Sequence, residues 1–561
     1  MLFSPFEDIL HTNTVPSDAQ SEEMRSFLTP HRQALNKLDD EVQRLERLLE
    51  NVNQQRKELY TWLAAHDKLL SPMRRLPDDV VRVVFAHTLP TTRHAALSAD
   101  EGPLLLTSIC RHWRELALST PRLWAAVHVV LPREPDGTSG ATLASQVSTW
   151  IGRSGAVPLS VSMVHVRRGG RLGGSALPGP SLLSSTLLPA AHRWGSMQLR
   201  VYSLEDGLAL CNLSVEDVPK LWSLGLNLSR VMIESDVPAP GAESGTWWKC
   251  QSMRIAAAPT LRHFNFHGPL LALPRTIAWH VLVVLHIQLW AGPADEIVFP
   301  FPFLQDCVSL EVLEASANSG ISFMDPTHTV LLPRLRRLAI SVWQPNGPDV
   351  QHGLQLLRLP TLESLDLTGT FLGQQLPDLL QPLAHITQLT VPVSQMLTVD
   401  LAHALSFLPA LATLRMQGEP AMPVPPGNSE WANGSDHVDS GFMQRFIPGT
   451  PGDALLCPAL TTLELTYAYA LPDALIVQLI RARTPLLSAF RACIFRRQQL
   501  DVREALADLL ETSEFTLVLA YRNSGRVYSP LEGTERSGQT RVNEDWLYEP
   551  DPMLVYNSVA Q

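Results

Sequence analysis

Residues 335–340 have the sequence LRRLAI, and residues 362–367, which begin 27 positions later, have the sequence LESLDL. Both stretches place apolar residues at their first, fourth and sixth positions. Apolar residues two positions apart lie on the same face of a β-strand, because successive side chains point to opposite faces. Each stretch therefore predicts a short strand with one buried face.

The same apolar motif recurs along most of the chain. It begins at Trp194, Leu221, Leu261, Leu282, Leu310, Leu335, Leu362, Ile386, Leu411, Leu460 and Leu487, most often 24 to 28 residues after the previous copy. This period is typical of leucine-rich repeats, and segments such as 349–360 and 470–482 supply a returning helix for their repeats. We therefore expect an α/β fold in which residues 150–520 form an irregular leucine-rich-repeat solenoid with a parallel sheet on its concave side. The alternative is a globular α/β domain in which the leucines are spaced by chance.

The longest gap between motifs, 49 residues, contains a segment rich in Pro, Gly and Ser. It predicts a loop insertion at 418–456. The polar residues 522–561 predict a loosely ordered tail.

The residue between the last two apolar positions of each motif is expected on the concave face. If that face recognises a protein, these residues are candidates for binding the target. The alternative is that they are only solvated. The candidates are Asn265, His286, Glu314, Asp366, Arg415 and Glu464, and Ala339, Thr390 and Arg491 occupy the same position in other repeats.

The N-terminal part of the chain has a heptad pattern. Apolar residues alternate in steps of three and four at Leu35, Leu38, Val42, Leu45, Leu49, Val52, Leu59, Leu63 and Leu70, with Arg56 and His66 interrupting the seam. We predict a disordered segment at 1–30 and a helix at 31–70. It either pairs two chains as a coiled coil through residues 35–63, giving a homodimer, or folds back on the next domain.

Two short amphipathic helices follow. In the first, Pro77 suits the first helical position and Asp78 and Asp79 suit the first turn. The second contains Ile109 and Trp113 on its apolar face. Two such helices cannot bury all of their apolar surface against each other, so we expect a partner or another element to cover the rest.

The sequences LPDDVVRVVF at 76–85 and ICRHWR at 109–114 resemble the F-box motif. The segments LLSP at 69–72, ALSTPRLW at 117–124 and WIGRSG at 150–155 are similar to F-box proteins of mushroom-forming fungi. The resemblance implies a small all-α F-box domain at 71–130 that binds the Skp adaptor of Skp-cullin-F-box ubiquitin ligases. It implies an adaptor-binding role for Leu76, Pro77, Val80, Val81, Val84, Phe85, Ile109, Cys110 and Trp113.

Composition limits other functions. The net charge of −11 gives no broad cationic surface for nucleic acid, and no apolar run reaches the roughly 18 residues of a membrane span. The six cysteines lack a C-x-x-C pair, and the commonest catalytic and nucleotide-binding motifs are absent. We expect no catalytic residue, metal or cofactor.

The chain is thus predicted to be a cytoplasmic or nuclear substrate-recognition adaptor, not an enzyme. It would hold an unknown protein target near the cullin ligase core for ubiquitin-dependent degradation. The alternative is a scaffold without a ligase role that dimerises through its N-terminal helix.

Overall fold

The structure is a computed structural model. It describes residues 4–70, 72–131, 137–165, 182–201, 204–228, 252–290, 297–299, 301–317, 321–323, 329–342, 350–369, 376–393, 397–418, 440–449, 455–468, 471–494, 498–512 and 515–521. The chain divides into two compact units, Met1–Val84 and Phe85–Gln561. Most of the predicted insertion at 418–456, and the predicted tail at 522–561, lie outside the described residues.

The first unit is dominated by helix α1 (Asp18–Leu70). At 1.5 Å per residue, its 53 residues extend for about 80 Å. The helix begins earlier than the predicted residue 31, and Pro30 lies inside it. A capping box explains the early start: the backbone N–H of Ser17 donates to Gln20 Oε1 at 3.0 Å, and the N–H of Gln20 donates to Ser17 Oγ at 3.4 Å.

Short helices follow α1. Their bounds are Pro72–Arg75 for a 3₁₀ turn, then α2 (Asp78–His87), α3 (Leu104–Ile109), α4 (Arg111–Leu118) and a second 3₁₀ turn at Pro121–Trp124. In α2 the backbone N–H of Val81 donates to the Pro77 carbonyl at 3.1 Å, so the chain becomes helical directly after Leu76-Pro77. The boundary between the two units falls within α2.

Among the described residues of the second unit, fourteen parallel strands form one sheet in chain order. They are β1 (Ala126–Leu131), β2 (Leu159–His165), β3 (Trp194–Val201), β4 (Ser223–Leu228), β5 (His263–Pro269), β6 (Val284–Trp290), β7 (Val312–Ala317), β8 (Arg337–Val342), β9 (Ser364–Gly369), β10 (Gln388–Pro392), β11 (Thr413–Gln417), β12 (Thr462–Ala468), β13 (Ala489–Ile494) and β14 (Thr516–Tyr521). The predicted α/β class, the long N-terminal helix and the large parallel sheet are confirmed.

Further helices connect successive strands. They are α5 (Gly137–Arg153), α6 (Leu204–Cys211), α7 (Val350–Gln355), α8 (Leu376–Leu380), α9 (Thr398–Ser406), α10 (Ser440–Gln444), α11 (Asp473–Arg483), α12 (Val502–Ala505) and α13 (Ala507–Thr512). In the described ranges, two small parallel pairs lie outside the main sheet, Ile297–Phe299 with Ile321–Phe323 and Val330–Leu331 with Leu357–Arg358.

The alternating apolar positions form the core. Leu338 pairs in register with Leu313 and Leu365, and each of these three side chains is at most 1% exposed. Between them, the intervening residues such as Ala339 are partly exposed. One sheet face is therefore buried, while the other carries the intervening residues.

Strands β1, β2 and β14 have no copy of the motif in the sequence prediction. Trp124, which lies just before β1, and Val127 and Val129 within it do keep the motif spacing, and each is at most 1% exposed. The all-α F-box domain predicted at 71–130 includes most of β1. The structure corrects this boundary, because β1 belongs to the main sheet. Within the described residues, no helix combines the length and apolarity that crossing a bilayer requires.

Candidate interaction surfaces

The residues that carry the F-box resemblance hold helices α3 and α4 together. Cys110 caps α4, since its Sγ accepts from the backbone N–H of Trp113 at 3.4 Å. Arg114 Nε donates to the Thr107 carbonyl of α3 at 2.7 Å. The rings of Phe85 and Trp113 meet edge to face with centroids 4.9 Å apart. These contacts are structural, and they leave other apolar residues of the same helices uncovered.

The nine predicted adaptor-binding residues differ in exposure. Val81 and Phe85 are buried, Leu76, Val84 and Trp113 are half-buried, and Pro77, Val80, Ile109 and Cys110 are exposed. Three further exposed apolar residues, Val83, Leu105 and Leu118, are not among the nine predicted adaptor-binding residues. Exposed fractions are 41% for Val80, 57% for Val83, 40% for Leu105, 52% for Ile109 and 38% for Leu118.

The predicted target-binding residues lie in register across the polar face of the sheet. From β1 to β14 this central row consists of His128, Ser162, Gln198, Gly225, Asn265, His286, Glu314, Ala339, Asp366, Thr390, Arg415, Glu464, Arg491 and Val518. All six candidates are therefore brought onto one surface. Its first five members are uncharged or weakly basic, whereas charges concentrate from Glu314 onwards.

The strongest ion-pair network of this face is on β11, β12 and β13. Glu464 accepts from Arg415 Nε at 2.8 Å and from Arg491 Nη1 at 3.0 Å. The Glu464 side chain is only 14% exposed, so the two bonds are shielded from water more than ordinary surface ion pairs. One carboxylate thus holds two arginines in fixed positions.

A second, looser network surrounds Glu314. Its Oε1 lies 3.4 Å from Arg337 Nη2, and its Oε2 lies 3.5 Å from His286 Nε2. Arg337 is not in the central row, because it lies two positions earlier on β8. The sequence prediction did not include Arg337, because the motif marks only the residue between the two buried positions. Strand alternation does place the Arg337 side chain on the same face, since it lies two residues from Ala339.

Asp366 lies between these two networks. In the described part of the chain, no basic side chain is within ion-pair distance of its carboxylate, and its in-register neighbour on β10 is Thr390. Burial raises the pKa of Asp366 above its ordinary value. Arg337 and Arg415 oppose that rise from a distance, and Glu314 adds to it.

Histidines are concentrated at the β5 and β6 end of this charged region. His263 packs against the exposed Trp222, with ring centroids 5.1 Å apart. Burial lowers the pKa of His263, and the nearby His286 lowers it further. His263 therefore favours the neutral imidazole and contributes an aromatic rather than a charged surface.

The described ranges contain no group of three or more His, Cys, Asp or Glu side chains arranged to hold a metal ion. Burial raises the pKa of the Cys307 and Cys457 thiols to about 12, which keeps both protonated and unreactive. Comparison with protein-family models and with curated proteins finds no match to this chain.

Proposed function

We propose that this chain is the substrate-recognition subunit of a Skp-cullin-F-box type ubiquitin ligase. Helices α2, α3 and α4 bind the Skp adaptor, and the parallel sheet belongs to a leucine-rich-repeat solenoid that binds a protein target. The chain supplies proximity between target and ligase, and no chemical step of its own.

The observation that carries the proposal is the uncovered apolar surface of the small helices. Leu105, Ile109 and Leu118 on α3 and α4 are 40%, 52% and 38% exposed, although the rings of Phe85 and Trp113 are packed against each other. At ~25 cal/mol per Å², covering several such side chains supplies several kcal/mol for binding. An adaptor that presents an apolar groove fits this surface.

The target-binding half of the proposal is supported by the strand arrangement. Strands in chain order with a period of about 25 residues are the arrangement expected of repeat proteins, which use their sheet face for binding. The central row supplies fixed charges on that face, because its arginines are held by Glu464.

The test is recovery of a purified fungal Skp adaptor with the full chain. Ile109→Glu places a charge on the exposed apolar surface, and we expect it to weaken adaptor binding by about tenfold or more. Val80→Glu gives a second variant, and its new carboxylate suits the first turn of α2. Val308→Glu is the matched control, because Val308 is 50% exposed and Ile109 is 52% exposed.

Adaptor binding that is absent from the wild-type chain, or equal in Ile109→Glu and Val308→Glu, would overturn the proposal. Unfolding midpoints of all three variants establish that a loss of binding does not come from a loss of folding.

A second candidate function is favoured by helix α1. The seam residues Leu38, Leu45 and Leu49 are each more than half exposed, and no apolar seam side chain from Leu35 to Leu63 is buried. A long helix with an uncovered heptad seam fits a scaffold that dimerises through residues 35–63 and has no ligase role. A stable dimer that does not bind the adaptor would support this function over the first.

A further inference from the structure

Asp366 has short neighbours on both sides. Ala339 on β8 and Thr390 on β10 are its in-register partners, and the next residues outward are Glu314 and Arg415. Across five consecutive positions of the central row, Asp366 is therefore flanked by two short side chains, and these are flanked in turn by two long side chains. With strands about 4.8 Å apart, Glu314 and Arg415 lie about 19 Å from each other. We call these five positions the Asp366 recess.

The charges around the recess are already paired with one another. Arg415 donates to Glu464 at 2.8 Å, and Arg337 contacts Glu314 at 3.4 Å. His286 is also directed at Glu314, 3.5 Å away. Among the described charged residues of this region, Asp366 is the one whose carboxylate lacks an ion-pair partner.

A partly desolvated carboxylate without a counter-ion is unfavourable in the free protein, and it becomes favourable when a cation is placed against it. We propose that the Asp366 recess binds a Lys or Arg side chain from an extended segment of the target protein. Thr390, which is 3% exposed, is the neighbour of Asp366 on one side, and the short side chain of Ala339 on the other side leaves room for the incoming group. This proposal rests on the proposed function, because it specifies what the target-binding face recognises.

An anionic ligand fits this region less well. A phosphate or carboxylate would have to displace Glu464 from Arg415 or Glu314 from Arg337, and it would then face Asp366. A basic side chain disturbs none of these pairs. Its nearest like charges, Arg337 and Arg415, are each compensated by a carboxylate.

The test uses the full chain, immobilised, and a library of blocked octapeptides. One central position is fixed as Lys, Arg, norleucine or Glu, and the other positions are randomised. We expect the wild-type chain to retain the Lys and Arg pools about tenfold more than the norleucine pool. Equal retention of all pools, or preferential retention of the Glu pool, would overturn the proposal.

Three variants connect the selectivity to the recess. Asp366→Asn should abolish the preference for Lys and Arg, and Ala339→Leu should abolish it without changing any charge, by filling the space. Glu363→Gln is the control with the same charge change, because Glu363 is more than half exposed and pairs with Arg336 at 3.2 Å. A preference that persists in Asp366→Asn and Ala339→Leu would place the binding site elsewhere.

Adaptor recovery is measured on the same preparations. If the adaptor binds and basic peptides are not selected, the recess proposal fails and the ligase proposal stands. If basic peptides are selected and no adaptor binds, the ligase proposal fails and the recess stands as the binding site of a scaffold. Asp366→Asn is expected to recover the adaptor as well as the wild-type chain does.

Discussion

Glu464 shows how one residue organises a surface. It lies on β12 between Arg415 on β11 and Arg491 on β13, and its carboxylate binds both. Without this carboxylate, the two half-buried guanidinium groups would repel each other across a single strand. The pairing therefore keeps a compact charged surface compatible with the sheet.

We predict that Glu464→Gln lowers the free energy of unfolding by about 2 kcal/mol, because two charge-assisted hydrogen bonds are lost at a site that is largely shielded from water. Urea unfolding measures the change. Glu363→Gln is again the control, and an exposed pair of this kind should cost no more than about 0.5 kcal/mol. Equal effects of the two substitutions would contradict the shielding argument.

Asp366 predicts a pH dependence of stability. Its pKa is raised by burial, so the folded chain binds this proton more tightly than the unfolded chain does. The resulting stability is present below the unfolded pKa and is lost as the pH rises through the folded pKa. Asp366→Asn should therefore be at least as stable as the wild-type chain near neutral pH, and any advantage should disappear under acidic conditions.

Urea unfolding of both chains over a pH series tests this sign. Asp366→Asn could instead lose more stability, relative to the wild-type chain, at neutral pH than in acid. That outcome would mean that the ionised Asp366 is compensated in the folded chain. That result would also weaken the argument for a cationic ligand.

At the scale of elements, helix α11 anchors the chain that precedes β12. Arg483 at its end is 4% exposed, and its guanidinium donates to the Phe446 carbonyl at 2.6 Å, to the Cys457 carbonyl at 2.9 Å and to the Leu456 carbonyl. Burial lowers the pKa of Arg483, and the three carbonyls compensate the buried cation with their dipoles. One side chain thus joins α11 to two separate stretches of backbone.

We predict that Arg483→Met lowers the free energy of unfolding by about 3 kcal/mol, because several buried carbonyls lose their donor. Amide exchange near Leu456 and Phe446 should also accelerate. Arg481→Met is the matched control on the same helix, since Arg481 is 49% exposed and pairs with Asp508 at its surface. A loss of stability as large for Arg481→Met would show that the helix, and not the buried guanidinium, is responsible.

For the whole molecule, the exposed seam of α1 predicts self-association. Two copies of residues 35–63 would cover the heptad leucines, and the interruption at Arg56 would weaken the pair without preventing it. We predict that the full chain is dimeric at micromolar concentration and that Leu49→Lys makes it monomeric, as measured by light scattering.

Gln54→Lys is the control, because it adds the same charge five positions later, away from the seam. A wild-type chain that stays monomeric at all concentrations would contradict the prediction. A dimer unaffected by Leu49→Lys would place the contact on another surface.

Much of the fold was predictable because burial imposes a period on the sequence. Every copy of the apolar motif provides a strand of the sheet, since two side chains on one face must be apolar wherever that face is covered. The same alternation placed Glu314, Asp366 and Glu464 on the opposite face. The early start of α1 was missed, although Ser17 and Gln20 form a recognisable capping pair.

Local periodicity in the sequence is enough to predict the long helix, the strands and the residues of the polar face. The pairing of charges on that face follows instead from how the strands are brought together in the folded chain. Glu464 meets an arginine 49 residues before it and another 27 residues after it, while Asp366 meets none within reach in the described chain. Ion pairing depends on distances of a few ångströms between strands, and sequence separation carries no information about such distances.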